Sequence, residues 1–580
     1  MKLLRKFNFM ERITSLSFAF GLGALWGCKE YVPVTTFEEP EDPVAMSHSA
    51  RLDWAKASHE LHAGWGTIDQ NYSRSIIPEV ITVEKMQLSA WKGERVSAQL
   101  LLWSPDSLDG VNCVVSDFKS KEAQLSAKIA RTRFVRYTLS NSRTKNPVVL
   151  AADMLDSIDR FDIAAKTVRP VWLTLEVPAD AQPGIYKAEV EIRHQKRKSI
   201  SLPLSLTISN HELPAADKWQ FHLDLWQHPA AVARVRGVEL WSDAHFDALR
   251  ETMGTLAKAG QKVITATLNK DPWNHQCYDA YEDMIRWTKT KDGSWKYDYQ
   301  VFDRWVELMM SLGINKMINC YSMLPWNEEL HYTDETSGQL VTVKAELGTP
   351  VFEEMWKPFL LDFKQHLASK GWLNITNIAM DERAPEEMDV AVRLLEECAP
   401  EMGFAIADNH QSYRRYSSIR DVCVIQDQKA QHEDIVKRRE QGFNTTFYVC
   451  CGPAFPNTFT CSHPYEAELL GWYAVAADYD GMLRWAYNSW PADPCTDARF
   501  GNWTSGDTYL VYPYNRSSIR LERLIDGIEV YEKIHLLREQ GVDMKGMDRL
   551  FEELHEMNIN DGSLPWRDWM ERANRMLNSL

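Results

Sequence analysis

The 580-residue sequence has no long basic run, and its acidic residues outnumber the basic ones, 81 to 65, for a net charge of −16. Nucleic-acid binding rests on neutralising phosphates with Lys and Arg, so nucleic acid is excluded as a partner. Neither HExxH, nor GxSxG, nor a P-loop occurs, which removes the common metalloprotease, esterase and nucleotide-hydrolase signatures. The glycine run at Gly21 and Gly23 has Trp26 where a dinucleotide fingerprint needs its third glycine. The cysteines number 10 and none forms a CxxC pair; Cys450-Cys451 with Cys461 and His463 lacks zinc-site spacing. Most sit in strand-like apolar runs such as Val422-Cys423-Val424, so buried thiols are expected rather than disulfides. Nothing in the sequence calls for an added cofactor.

What the sequence does have is tryptophan: 22 residues, against 21 Tyr and 21 Phe. Flat aromatic faces suit the apolar face of a sugar ring, although they also fill large cores. At the N-terminus, Lys2, Arg5, Lys6 and Arg12 precede an apolar run, Ile13 to Trp26, too short for an ordinary membrane span. It ends in Leu25-Trp26-Gly27-Cys28, which resembles the lipobox of bacterial lipoproteins, with Cys28 as the acylated residue. The alternative is a plain secretory signal. The expectation is a signal peptide over 1–27, an acidic, proline-rich and solvated tether over 28–50, and a lipid-anchored protein of the bacterial cell envelope.

The mature chain reads as a multidomain α+β protein. Residues 51–210 carry runs rich in Val, Ile, Thr and aromatics (Val80–Met86, Arg95–Trp103, Val171–Val177, Ile185–Arg193, Ile200–Ile208), which predict a β-sandwich. After a linker, strand-like and helix-like segments alternate, and eight strand candidates from Phe221–Trp226 to Met482–Tyr487 predict a (β/α)8 TIM barrel over 219–540. Ile285–Tyr299 and Leu330–Leu347 look like hairpin insertions in barrel loops, Pro358 predicts a helix kink, and a short helical tail covers 541–580.

Barrel active sites lie at the C-terminal strand ends. Those ends offer Asp224 and Trp226, Asp381-Glu382, Asp408-Asn409-His410, Asp427, Tyr448, and then Trp485, Tyr487 and Trp490. Carboxylates among aromatics suit a sugar better than a metal or a phosphate. Asn377-Ile378-Ala379-Met380-Asp381-Glu382 is the informative unit: an apolar run needing burial that finishes in two adjacent acids. Adjacency poorly suits an acid and a nucleophile flanking one bond about 5 Å apart. It better suits one acid that protonates the leaving oxygen while its neighbour steers a nucleophile belonging to the substrate, the carbonyl of a 2-acetamido group. The alternative is that Asp381 caps the next helix and Glu382 pairs with Arg383.

Met380-Asp381-Glu382 at a strand end resembles the catalytic pair of glycoside hydrolase family 123. Supporting stretches are Val177–Tyr186, Gly481–Asn488 and Ser518–Glu532, in order, over roughly residues 70–540. The resemblance implies a β-sandwich plus barrel and a retaining exo-β-N-acetylgalactosaminidase. It implies that Glu382 is the general acid/base, with a raised pKa, and that Asp381 orients the acetamido group and stabilises an oxazolinium-like intermediate. Tyr448 is expected to contact the acetamido carbonyl and Trp485 to form the floor under the sugar. Asn409, His410, Tyr487, Trp490 and Trp226 are candidate hydroxyl or stacking contacts, with Trp273 and Trp326 at the rim. The expected partner is a glycan or glycolipid ending in β-GalNAc. Competing readings are another hexosaminidase or glycosidase specificity, and an anchored glycan-binding protein without activity.

Overall fold

A computed structural model describes residues 38–580, apart from 82–84, 142–146 and 195–196. Cys28, the expected signal peptide and the first part of the tether lie outside the described residues. Most of the described part of the tether is exposed, but Glu39 is docked against the sandwich. Glu39 accepts hydrogen bonds from Arg136 Nε at 2.8 Å and from both terminal nitrogens of Arg169 at 2.7 Å. Burial alone would raise its pKa, but the guanidinium groups outweigh it and hold the carboxyl below its ordinary value.

Two sheets face each other in the N-terminal part. One runs His62–Gly66, Arg95–Ser104, Thr167–Glu176, Ala130–Asn141, Val148–Asp156 in spatial order. The other runs Met86–Lys92, Arg197–Glu212, Gly184–His194, Leu108–Val115, Phe161–Ile163. Period-two alternation in Gly184–His194 buries Tyr186, Ala188, Val190 and Ile192 against Leu100, Leu173 and Leu204. The strand expected at Val80–Met86 is displaced to Met86–Lys92. Val80 and Ile81 are exposed, whereas Met86, Leu88 and Ala90 fall on the core face.

The eight barrel strands are β1 His222–Leu225, β2 Val263–Thr267, β3 Met317–Tyr321, β4 Thr376–Met380, β5 Gly403–Asp408, β6 Ile419–Ile425, β7 Asn444–Tyr448 and β8 Gly481–Arg484. All neighbours pair in parallel from β2 round to β8 and on to β1. Between β1 and β2 the ladder thins to a single bridge, Leu223 to Gln261. Side chains complete that seam: Gln261 Oε1 accepts the Leu225 N–H at 2.9 Å, and Gln227 Oε1 accepts that of Thr265 at 2.8 Å. Helices cover the outside, except that β5 and β6 are joined only through a 3-10 turn, Ser412–Arg414. The helix Pro350–Lys370 continues unbroken through Pro358.

Alternate strand residues face inward. The lower interior is polar, with Asn319 Nδ2 donating to Asp421 at 3.0 Å and Asn377 Nδ2 to Asn319 at 3.0 Å. Asp224 lies in this layer rather than at the mouth; burial and then the Asp421 charge push its carboxyl well above the usual range.

The two insertions do not stand as separate hairpins. Arg286–Lys289 pairs with Trp295–Asp298, Glu329–Asp334 with Leu340–Lys344, and the two join through Thr288 and Thr333 into one four-stranded sheet. Its apolar face sits on the helix Pro350–Lys370, where Trp287 stacks on Phe359 at 4.4 Å.

The closing helix Ile519–Glu539 binds the sandwich through buried charges. Arg133 reaches both carboxylate oxygens of Glu522 at 2.9 Å, and Arg95 adds a third contact at 3.2 Å. Asp153 accepts from Arg520 at 2.9 Å, and Ser517–Ser518 joins the first sheet as its sixth strand. This helix also crosses Pro464–Ala476 closely enough that a Cβ on Gly471 would lie 2.1 Å from the Gly527 carbonyl oxygen, so both positions require glycine. Helices Lys545–Glu556 and Trp566–Leu577 finish the chain, with Trp569 edge-on to Trp472 at 5.5 Å. Among the described residues no helix is long and apolar enough to cross a membrane.

Candidate active site

Inward parity places Ala379 and then Asp381 on the lumen side of β4, with Met380 packed outward among the helices. The strand ends at Met380, and this lets the next residue escape the alternation. Glu382 turns back over the mouth, where its Oε1 accepts the hydroxyl of Tyr448 from β7. Asp381 Oδ2 accepts the indole N–H of Trp326 at 3.1 Å, and its Oδ1 accepts the Glu382 amide at 3.1 Å. Both acids are half-buried and open to the mouth.

The alternative roles for this pair are not what the structure contains. The next helix starts at Pro385, and its first turn is held by Glu387, which accepts the Ala384 N–H at 2.8 Å. Arg383 turns away from Glu382, donating to the Leu324 carbonyl at 2.6 Å, with its guanidinium 4.1 Å above the Trp326 ring.

Burial pushes the Asp381 carboxyl above its ordinary value and the adjacent Glu382 charge adds to this, while the Trp326 N–H opposes both. Burial, followed by the Glu382 carboxylate, raises the Tyr448 phenol, so Tyr448 acts as a donor and not as a phenolate.

Trp226 and Trp273, expected as a stacking contact and at the rim, are instead buried together with Tyr281 and Tyr321 in an aromatic cluster. Trp226 lies 4.9 Å from Trp273 and 4.7 Å from Tyr321, and Tyr281 packs on Trp273 at 4.4 Å. Trp485, just past β8, shares this inner cluster with Tyr448. Its indole is pinned by Asp507, whose Oδ1 accepts Trp485 Nε1 at 3.2 Å and Arg484 Nη2 at 2.8 Å. Trp503 packs edge-on to Trp485 at 5.2 Å and donates to the Gln276 carbonyl at 3.1 Å, tying the β8 loop to the β2 loop. Trp326 is 39% exposed and stands at the rim.

Not every expected contact reaches this mouth. Tyr487 is fully buried outside the barrel, donating to the Thr252 carbonyl at 3.1 Å. Trp490 is buried beyond it, donating to the Val511 carbonyl at 2.6 Å. Both were expected at the mouth from their place at the end of β8, but the strand stops at Arg484 and the chain then turns away. Asn409 is half-buried past β5, with its Oδ1 buried and without a partner, while His410 is exposed and donates its amide to Asp408 at 2.8 Å. Asp408 is a local cap, also accepting the Ser412 amide at 2.6 Å, and Asp427 is exposed. Tyr321, Tyr281 and Asp507 escaped the sequence reading. Tyr321 was readable, since it ends its strand with the inward parity of Asn319.

A sandwich followed by a barrel, with an acid pair on β4 and a buried aromatic cluster, is the arrangement that the comparisons with known proteins bear on. The pattern for the glycoside hydrolase 123 catalytic domain matches residues 226–537, and that for the glycoside hydrolase 123 N-terminal domain matches 65–194. The chain belongs to glycoside hydrolase family 123. Among solved structures, a family 123 glycoside hydrolase from Clostridium perfringens is 26% identical, covering 85% of this chain and 91% of that one, with a TM-score of 0.80. A family 5 xyloglucanase from Bacteroides ovatus is 10% identical over 77% of this chain and 98% of its own, with a TM-score of 0.27, too slight a likeness to build on. No curated protein matches the chain at a significant level. Membership of family 123 makes the protein a glycoside hydrolase, with a glycan or glycolipid as substrate.

Proposed function

We propose that this family 123 hydrolase is a retaining exo-glycosidase that releases terminal β-linked N-acetylgalactosamine by substrate-assisted catalysis. The observation that carries the reading is the adjacency of Asp381 and Glu382 at one mouth, each held by a different donor, Trp326 and Tyr448. Neighbouring carboxylates cannot flank one glycosidic bond from opposite faces, so the nucleophile is best drawn from the substrate. Glu382 protonates the glycosidic oxygen as the 2-acetamido carbonyl oxygen attacks C1. Asp381, as a carboxylate, accepts the acetamido N–H and stabilises the positive charge that develops on the oxazolinium ring. Glu382 then takes a proton from water as that water opens the ring at C1. Trp485, half-buried at the mouth, supplies the face on which the ring stacks, and the buried Trp226 and Trp273 pack in the same inner cluster.

The Clostridium perfringens relative was studied for glycolipid glycan hydrolysis, which favours a glycolipid head group or a similar glycan as substrate here too. Anchorage in the cell envelope through acylated Cys28 fits the basic and apolar N-terminal sequence. Fatty-acid labelling that is lost in Cys28→Ser is the expected outcome.

The test of the reaction is hydrolysis of matched β-GalNAc, β-GlcNAc and β-Gal chromogenic glycosides, with Glu382→Gln as the blank. Release from β-GalNAc alone is expected. Release from β-Gal would remove the acetamido mechanism, and preference for β-GlcNAc would change the sugar.

A further inference from the structure

Two residues beyond Tyr448, the chain places Cys450 and Cys451 side by side in the wall of the mouth. Their sulfurs are 3.7 Å apart. Cys450 packs with the Tyr448–Trp485 cluster, while Cys451 is the one exposed cysteine among the described residues. The backbone around them is held firmly. The Cys450 N–H donates to the Gly452 carbonyl at 3.1 Å, Asn457 Nδ2 donates to the Cys450 carbonyl at 2.8 Å, and Arg484 Nη1 to that of Val449 at 3.2 Å. The pair therefore stays together and stays at the mouth.

We propose that Cys450 and Cys451 form a redox modification site in the glycan-site wall, which closes to a vicinal disulfide on meeting a low-molecular-weight disulfide. The two sulfurs have different roles. With Cys450, the less exposed thiol, as donor in this contact, the Cys451 thiol is lowered to about 7 and Cys450 stays protonated. Cys451, exposed and the more readily ionised of the two, is thus the attacking group. Burial pushes the thiols of Cys113, Cys277 and Cys495 up to about 12, so they do not compete.

Cys451 attacks one sulfur of the incoming disulfide, whose S–S bond breaks, and one thiol leaves with a proton from solvent. Cys450 then loses its proton to solvent, attacks the Cys451 sulfur and displaces the second thiol. Two cysteine thiols are oxidised and one disulfide is reduced to two thiols. Neighbouring Cα atoms are about 3.8 Å apart, closer than the roughly 4.4–6.8 Å of ordinary disulfides, so the closed bond is strained and readily reduced. That suits a reversible mark rather than a structural staple.

The test treats the folded protein with glutathione disulfide and maps thiols by peptide mass spectrometry. The expected result is loss of two hydrogens confined to the 450–451 peptide, reversed by dithiothreitol. Cys450→Ser should instead trap one glutathione on Cys451, and Cys451→Ser should react at neither position. No reaction in the wild type, or a stable glutathione adduct without closure, overturns the proposal. A second arm rests on the glycosidase reading: saturating N-acetylgalactosamine should slow alkylation of Cys451 several-fold. Closure without protection by a sugar that the glycoside assay shows the enzyme accepts would remove the pair from the sugar-site wall while leaving its redox chemistry intact.

Discussion

The hydroxyl of Tyr448, at the end of β7, donates to the carboxylate of Glu382 beyond the end of β4, joining two strands across the mouth of the barrel. Tyr448 therefore sets where Glu382 points before any sugar arrives. A hydrogen bond to a charged group contributes about 1.5–3 kcal/mol. Tyr448→Phe should accordingly lower kcat/KM on a natural glycoside by roughly 10- to 100-fold without unfolding the protein. Steady-state kinetics beside a circular dichroism melt will read both quantities. An unchanged kcat/KM would remove Tyr448 from the chemistry.

Trp326 makes a pH-dependent partner to this. Its N–H favours the ionised form of Asp381, whose carboxyl is already raised by burial and by Glu382. Trp326→Phe removes that donor and should raise the Asp381 pKa further. Because the proposed chemistry needs Asp381 ionised, the acid limb of the kcat/KM profile should move to higher pH. A limb that stays put, or moves lower, would contradict the role given to Asp381.

Trp485 and Tyr487 are two residues apart and should behave in opposite ways. Trp485→Ala removes a stacking face at the mouth and should weaken substrate binding by about 1–3 kcal/mol, seen mainly in KM. Tyr487→Phe deletes only the buried bond to Thr252, so it should cost about 1 kcal/mol of stability and leave kinetics nearly unchanged.

Glu522 offers a test of the joint between sandwich and barrel. Burial would raise its carboxyl, but Arg133 and Arg95 outweigh this and hold it far below the ordinary value. A depressed folded pKa means the stabilisation is present in full above the unfolded value, about 4.3, and is lost as pH falls below it. Glu522→Ala leaves buried guanidinium charge unpaired and should cost about 3–5 kcal/mol at neutral pH, with a smaller difference in acid. Thermal melts of both proteins across that range give the answer.

Much of this could be read from residues alone. An apolar strand ending in Asp381-Glu382 announces a mouth because buried acids are costly, and the parity of β7 and β8 turns Tyr448 and Trp485 inward. The same rule failed at Tyr487, since parity is meaningless once a strand has ended. The strand Ala130–Asn141 was passed over because Arg131, Arg133 and Arg136 mask its pattern. The partner that makes Arg133 tolerable inside, Glu522, lies 389 residues away. The Trp326 bond to Asp381 likewise depends on how two loops meet, which no local pattern records.

The joined insertions have a consequence for motion near the mouth. A two-stranded hairpin is marginal in water by itself, and each insertion here is supported by its neighbour and by the helix Pro350–Lys370 beneath the joined sheet. The loops after β2 and β3 should consequently open together, as one cooperative unit in native-state hydrogen exchange, with Thr288 and Thr333 protected to the same degree. Shortening either hairpin would then loosen the rim on both sides, since one loop cannot be released while its neighbour stays in place.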